Sequence, residues 1–275
     1  MAIDCRQETK IMGILNVTPD SFYDGGKYQD PEQAVAHGLA LAAAGADIID
    51  IGGESTRPGA HYIDEEEELR RVMPVIERLV DQVQVPLSVD TRKAGVARRA
   101  IAAGVQIVND VSALRSDPRL APLIAESGVS VVLMHMQGDP LTMQQNPTYT
   151  DVVEEILAFF RERIAYALAQ GISPEQIIID PGIGFGKRLV HNLEILRHLP
   201  RFRQLGFPVM LGHSRKGFMY KALGLPPAER LAPTIAIAVL AMLQGVNILR
   251  VHDVKEMVQA RNMIAMILDP GRRPR

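Results

Sequence analysis

The chain has a single cysteine, Cys5, and no CxxC pair or His/Cys cluster, which excludes an internal disulfide and argues against structural zinc. It lacks an excess of charge of either sign. Thirty Lys and Arg against thirty-two Asp and Glu leave a net charge of −2, too balanced to draw the whole molecule to nucleic acid or to an anionic membrane. Any anion site is local. A long greasy segment is missing too: the longest apolar run, Ile235–Leu243, falls far short of the ~20 residues that span a bilayer. Met1–Lys10 alternates charged and apolar residues without the basic and then apolar regions of a signal peptide, so a soluble cytoplasmic protein is expected. Several catalytic signatures are absent. There is no G-x-x-x-x-G-K-[ST] phosphate loop, and Gly182-x-Gly-x-Gly lacks the dinucleotide-binding spacing. Nor is there an H-E-x-x-H, a G-x-S-x-G or a suitable Cys/His pair, which argues against a zinc protease, an α/β-hydrolase and a thiol enzyme.

What is present is a repeated phrase. Eight short β-branched runs recur: Ile11–Leu15, Ile48–Ile51, Leu87–Val89, Ile107–Val108, Val131–Met134, Ile177–Ile179, Val209–Leu211 and Ile248–Val251. They are apolar on consecutive residues, the mark of parallel strands covered on both faces. Amphipathic stretches lie between them: Ala34–Ala44, Glu65–Val80, Lys93–Ala103, Leu120–Ser127, Val152–Ala169, Leu189–Leu199, Thr234–Leu243 and Val254–Leu268. Four helices pass through glycine into the next strand, at Gly45, Gly104, Gly128 and Gly245. Eight βα units in a right-handed wind predict a single-domain α/β fold, a (β/α)8 TIM barrel, with a doubly wound open sheet as the alternative. No Pro- or Ser-rich linker divides the 275 residues, so one domain is expected, with a short lead at 1–9 and a frayed tail at 269–275. The acid run Asp64–Glu68 reads as a solvated helix start.

In such a barrel chemistry sits where strands run into the following loops. The first polar residues there are Asn16, Asp50, Asp90, Asn109 with Asp110, His135, Asp180, His213 through Lys216, and Arg250 with His252. Any one of them serves equally well as a cap for the next helix; the set is what points to a site. Asp90, Asn109 and Asp180 suit the N–C–N donor edge of a planar heterocycle such as guanine or a pterin, unless they merely satisfy one another. Arg57, Arg215, Lys216, Arg250 and His252 form a basic group suited to phosphate or diphosphate. Glycine-rich loops at Asp24-Gly-Gly, Gly52-Gly-Glu-Ser-Thr-Arg-Pro-Gly and Gly182-Ile-Gly-Phe-Gly-Lys let backbone approach a ligand or let a lid move. His135, between two methionines, reads as a packed barrel histidine.

Seven motifs carry a resemblance: Asn16-Val-Thr-Pro-Asp-Ser-Phe, Asp50-Ile-Gly-Gly-Glu-Ser-Thr-Arg-Pro-Gly, Ser88-Val-Asp-Thr, Asn109-Asp-Val, Asp180-Pro-Gly-Ile-Gly-Phe-Gly-Lys, Ser214-Arg-Lys and Arg250-Val-His-Asp-Val-Lys. In unbroken order from Ile11 to Ile267, the chain resembles the dihydropteroate synthase family of pterin-binding enzymes. The resemblance implies a barrel that joins 4-aminobenzoate to 6-hydroxymethyl-7,8-dihydropterin diphosphate, releasing diphosphate. It implies that Asp50, Asp90, Asn109, Asp180 and Lys216 hold the pterin, and that Asn16, Arg57, Arg250 and His252 form the diphosphate pocket, with Asn16 also ligating Mg²⁺. Phe22 and Asp24 would belong to the first mobile loop; Thr56, Arg57 and Pro58 to the second; Arg215 and Gly217 would border the aminobenzoate. Asp24, Asp90, Lys216, Arg250 and His252, the last as a cation, would carry the chemistry.

The sequence departs from the family pattern at Tyr23, His213 and Gly217. The resemblance implies that glycine at 217, where the family commonly has serine, removes a hydroxyl donor near the aminobenzoate and so bears on sulfonamide affinity. Two other classes share such a barrel. A corrinoid methyltransferase using methyltetrahydrofolate needs no diphosphate pocket, so Arg57, Lys216 and His252 count against it; a catalytically silent pterin-binding paralogue is the other. The resemblance further implies a homodimer, for which Ile235–Leu243 and the last helix, with Met257, Met263 and Met266, offer an apolar face, or else these residues pack on the barrel.

Overall fold

The structure is a computed structural model that describes residues 8–18, 31–57 and 59–271. In the first half strands and helices alternate: β1 (Lys10–Asn16), α1 (Pro31–Ala43), β2 (Ile48–Gly52), α2 (Glu65–Leu79), β3 (Leu87–Asp90), α3 (Ala94–Ala102), β4 (Ile107–Asp110), α4 (Leu120–Ser127), β5 (Ser130–Met134) and α5 (Val152–Ala169). The second half continues with β6 (Ile177–Asp180), α6 (Leu189–Arg197), α7 (Leu199–Arg203), β7 (Met210–Leu211), α8 (Phe218–Leu223), α9 (Leu231–Leu243), β8 (Ile248–Val251) and α10 (Val254–Leu268). All strand pairs are parallel, in the order β6-β5-β4-β3-β2-β1-β8-β7. The circle closes where Ile179 of β6 bridges Val209 beside β7, and its N–H donates to Pro208 O at 2.9 Å. That closure rules out the open sheet: the fold is a (β/α)8 barrel.

Each of the eight β-branched runs falls on a strand, with Val209 bridging beside β7, because each is buried on the barrel side and the helix side alike; the longer apolar run Ile235–Leu243 lies in α9. Helix ends follow local chemistry. Asp64 caps α2 by accepting from Glu67 N–H at 2.7 Å, Asp151 caps α5 by accepting from Val153 and Glu154 N–H, and Gly128 ends α4 in the left-handed conformation with φ of 70°. The expected solvated start of α2 holds for Asp64 to Glu66 but not for Glu68, which is fully buried with Lys93 Nζ at 2.5 Å. The single helix expected over 189–199 is two, broken at His198. Pro200 has no N–H to give, so the hydrogen-bond ladder of α6 cannot run on. No helix among the described residues is long and apolar enough to cross a membrane.

The barrel interior is layered. Its floor is a separate apolar cluster of Met12, Ile48, Ile107, Val132, Ile178, Met210 and Ile248, distinct from the core between strands and helices. Side chains on a strand repeat their direction every second residue. Two residues beyond the floor on β2, β4, β6 and β8 come Asp50, Asn109, Asp180 and Arg250, while Asp90 pairs in register with Asn109. The polar set therefore stands as one layer on an apolar base.

Candidate active site

Arg250 ties the layer together. Its Nε donates to Asp50 Oδ2 at 2.6 Å and its Nη2 to Asp90 Oδ2 at 2.8 Å. Asp50, wholly buried, also accepts from Ser88 Oγ at 2.5 Å and Asn109 Nδ2 at 3.1 Å. Across the mouth, Asp180 accepts from Gly182 N–H at 2.8 Å. Two glycines keep the space between these groups clear. A Cβ on Gly212 would sit 3.7 Å from Asp180 Oδ2 and 3.9 Å from Arg250 Cδ; one on Gly52 would sit 3.8 Å from both Asn16 Oδ1 and Asp90 Oδ2. Lys216 Nζ donates to Ile183 O and lies 4.3 Å from the centre of the Phe185 ring.

Burial sets the electrostatics. It pushes Asp90 up to about 7, with Arg250 opposing and the Asp50 charge reinforcing the shift. It also raises Asp180, against the pull of Lys216, and draws Lys216 down to about 8 despite Asp180. Burial disfavours the Arg250 charge as well, but Asp50 and Asp90 more than offset this and hold the guanidinium above its ordinary value. Asp90, Asp180 and Lys216 thus have proton affinities drawn toward neutrality, a common property of reactive sites, while Arg250 stays a fixed cation.

The rim is less uniform. His252 Nδ1 lies 3.0 Å from Ser214 Oγ, and the residue is exposed. Partial desolvation, with Arg250, Arg215 and Arg57 nearby, pushes it down to about 4. Without a ligand, desolvation first and the nearby cations second hold the ring toward its neutral form. Arg57 is exposed, Asn16 and Thr56 are half-buried, and Gly217 is exposed with nothing within 4 Å of where a Cβ would stand. Arg215, expected beside the aminobenzoate, turns its guanidinium onto Asp253, Nε to Oδ2 at 2.8 Å, at the start of α10. Phe22, Tyr23, Asp24 and Pro58 lie outside the described residues. A cavity of about 160 Å³ lies beside the mouth, lined by Glu54, Thr56, Tyr62, Arg92, Arg115 and Asp139 among others; of the expected site residues it takes in only Thr56.

Three strand-end residues serve structure instead. Asp110, next to Asn109, faces the opposite side of β4 and pins the following turn by accepting from Ser112 and Leu114 N–H. His213 is buried with Nε2 3.0 Å from Thr234 O, and His135 packs edge-on against Phe159 with centroids 4.8 Å apart, the packed histidine that was expected. Sequence reasoning assigned no part to Ser88, which holds Asp50, or to Phe185, which underlies Lys216. An aromatic residue between two glycines was the only signal for the latter.

Residues 12–252 match the model of a family described as pterin binding enzyme. The chain belongs to the pterin-binding enzyme family. It is 47% identical over 258 residues to the dihydropteroate synthase of Escherichia coli K12, covering 94% of this chain and 91% of that one. Two solved structures are similar throughout. The Xanthomonas albilineans dihydropteroate synthase with 4-aminobenzoic acid superposes with a TM-score of 0.90 at 50% identity, covering 96% and 94% of the two chains. The same enzyme in complex with 7,8-dihydropteroate gives 0.87 at 46%, covering 97% and 96%. The family's barrel and the layered mouth described above coincide in this chain.

Proposed function

We propose that this pterin-binding enzyme is a dihydropteroate synthase, a transferase that joins 4-aminobenzoate to 6-hydroxymethyl-7,8-dihydropterin diphosphate. The observation that carries the reading is one guanidinium holding Asp50 and Asp90 at the same barrel mouth that presents Asp180 and Lys216. A carboxylate accepts the two parallel N–H bonds of an amidine-like edge, and Asp180, Asp90 and Asn109 offer such acceptors above an apolar floor on which a flat ring rests. Lys216, beside Asp180, complements the ring's acceptor atoms.

The chemistry asks for early departure of diphosphate, because an aromatic amine with a delocalised lone pair is a weak nucleophile. As the leaving group goes, the pterin methylene becomes cationic, and the Asp50–Asp90 pair is of the right sign to stabilise it. Arg57 and Arg250 neutralise the departing charge, and His252, neutral at rest, donates from Nε2 with its Nδ1 held on Ser214. An SN1-like displacement follows from this division. Closure of the first two loops, carrying Phe22, Asp24, Thr56, Arg57 and Pro58, would exclude water that otherwise captures the cation. Arg215 and Gly217 would border the amine substrate.

Asn16 is the residue we assign to Mg²⁺. Its amide oxygen and Asp90 Oδ2 flank the gap at Gly52, and no cluster of three His, Cys, Asp or Glu side chains suited to a metal occurs among the described residues. That sparse oxygen set fits a hard cation held mostly by diphosphate and water. When bound, the ion supplies Lewis-acid neutralisation of the leaving group.

A homodimer is part of the same proposal. Leu240 and Leu243 of α9 and Met263 and Met266 of α10 are exposed on neighbouring helices, whereas Met257 is core. A cytoplasmic location fits the single cysteine. The deciding experiment incubates the purified chain with the pterin diphosphate, 4-aminobenzoate and Mg²⁺ and follows dihydropteroate; pterin binding without product would favour a silent paralogue.

A further inference from the structure

The reaction makes no use of Lys187, one of several buried charged side chains among the described residues. Lys187, at the end of the loop between β6 and α6, is 2% exposed. Its Nζ lies 2.9 Å from His135 Nδ1, 3.0 Å from Phe185 O and 3.3 Å from His135 O. An ammonium has three N–H donors, and here are three acceptors. Burial keeps the His135 ring neutral, so that Nδ1 can accept while Nε2 carries the proton. Burial also pulls Lys187 well below the ordinary lysine range, with Asp180 acting against it. The three contacts replace the water that this nitrogen has lost.

What the anchor holds is the loop that touches the reacting groups. Gly182 N–H donates to Asp180, Ile183 O accepts from Lys216 Nζ, and a Cβ on Gly184 would stand 3.2 Å from Lys216 Cδ. The Phe185 ring lies beneath the same ammonium. The loop is seated tightly on the chain that follows β5. A Cβ on Gly182 would fall 2.0 Å from His135 O, and one on Gly186 would fall 2.3 Å from Gln137 O; both glycines have positive φ. Glycine allows that approach, but it supplies no attraction. Lys187 does, by joining the carbonyl and ring of His135 to the carbonyl of Phe185.

We propose that Lys187 is a positioning residue: by fastening the β6–α6 loop to the end of β5, it sets the Ile183 carbonyl and the Phe185 ring around Lys216 and so fixes the ammonium that faces Asp180. The consequence for pterin binding rests on the functional reading above. A lysine that merely filled space would act independently of Lys216. One that acts through Lys216 gives non-additive losses.

The test is a double-mutant cycle on the full chain, with affinity for a free pterin read by fluorescence. Lys187→Met is expected to weaken binding about tenfold in the native background and less than about twofold in a Lys216→Met background. Equal losses in both backgrounds, or no loss in either, overturn the proposal. Should Lys187→Met fail to fold, Lys187→Gln, whose amide keeps two donors, enters the same cycle. Absence of pterin binding by the unsubstituted chain would defeat the functional reading instead. The positioning role is then read from ligand-free amide exchange over residues 182–187: faster exchange in the variant, with β5 and β6 still protected, supports it, and unchanged exchange overturns it.

Discussion

Two arginines bind carboxylates at opposite ends of one barrel, and they do different things. At the end where strands begin, Arg261 of α10 reaches Asp47 Oδ2 and Thr9 O, and Asp47 Oδ2 also accepts from Ile11 N–H at 2.8 Å. At the end where strands finish, Arg250 holds Asp50 and Asp90, which meet side chains and a gap kept open by Gly52 and Gly212. Asp47 is spent on the backbone. Asp90, raised to about 7, is held in a state that a ligand can change. The same pairing of residue types is a clamp where it closes on main chain and a site where it closes on space, as expected for the two faces of such a barrel.

Substitutions at the two ends should separate activity from stability. Asp90→Ala is expected to lower kcat/KM by about 10²–10³-fold or more, with an unchanged circular dichroism spectrum; native rates would remove its role. Arg250→Met comes next. Affinity for the pterin diphosphate should fall about tenfold or more and that for free pterin by less than about threefold, measured by titration. Equal falls would mean that Arg250 serves only the two acids and that the pocket is undivided. Arg261→Met should instead cost roughly 2–3 kcal/mol of stability in urea melts while kcat per folded molecule stays within about twofold. An activity loss without a stability loss there would erase the distinction between the ends. The finest test is the pH profile. Asp90 acting as an anion makes kcat/KM climb as pH passes about 7, and loss of the Lys216 proton makes it fall above about 8. Lys216→Arg should move only the falling limb upward; a flat profile between about pH 6 and 9 contradicts both assignments.

The strands were legible because each β-branched run is buried on two faces, and Asp90, Asn109 and Asp180 because each directly follows such a run, whereas Asp50 interrupts one. Direction was harder to read. Asn109 and Asp110 are neighbours in sequence yet face opposite sides of β4, and only the floor below Asn109 distinguishes them. From sequence Arg250 reads only as a phosphate binder, since no local pattern announces partners 200 and 160 residues away. The break at His198 is invisible in the sequence because the apolar spacing continues across it. Lys187 closed a motif without a role, for its acceptors come from the end of another strand.

The barrel's staves are not equally hooped. Between β6 and β7 the joint is one bridge and a bond to Pro208, beside a strand of two residues, so local opening has least to undo there. Asp180 leaves from one side of that joint and Lys216 from the other. A slight parting would therefore widen the gap between the two groups, and a ligand gripping both would act as the missing rivet.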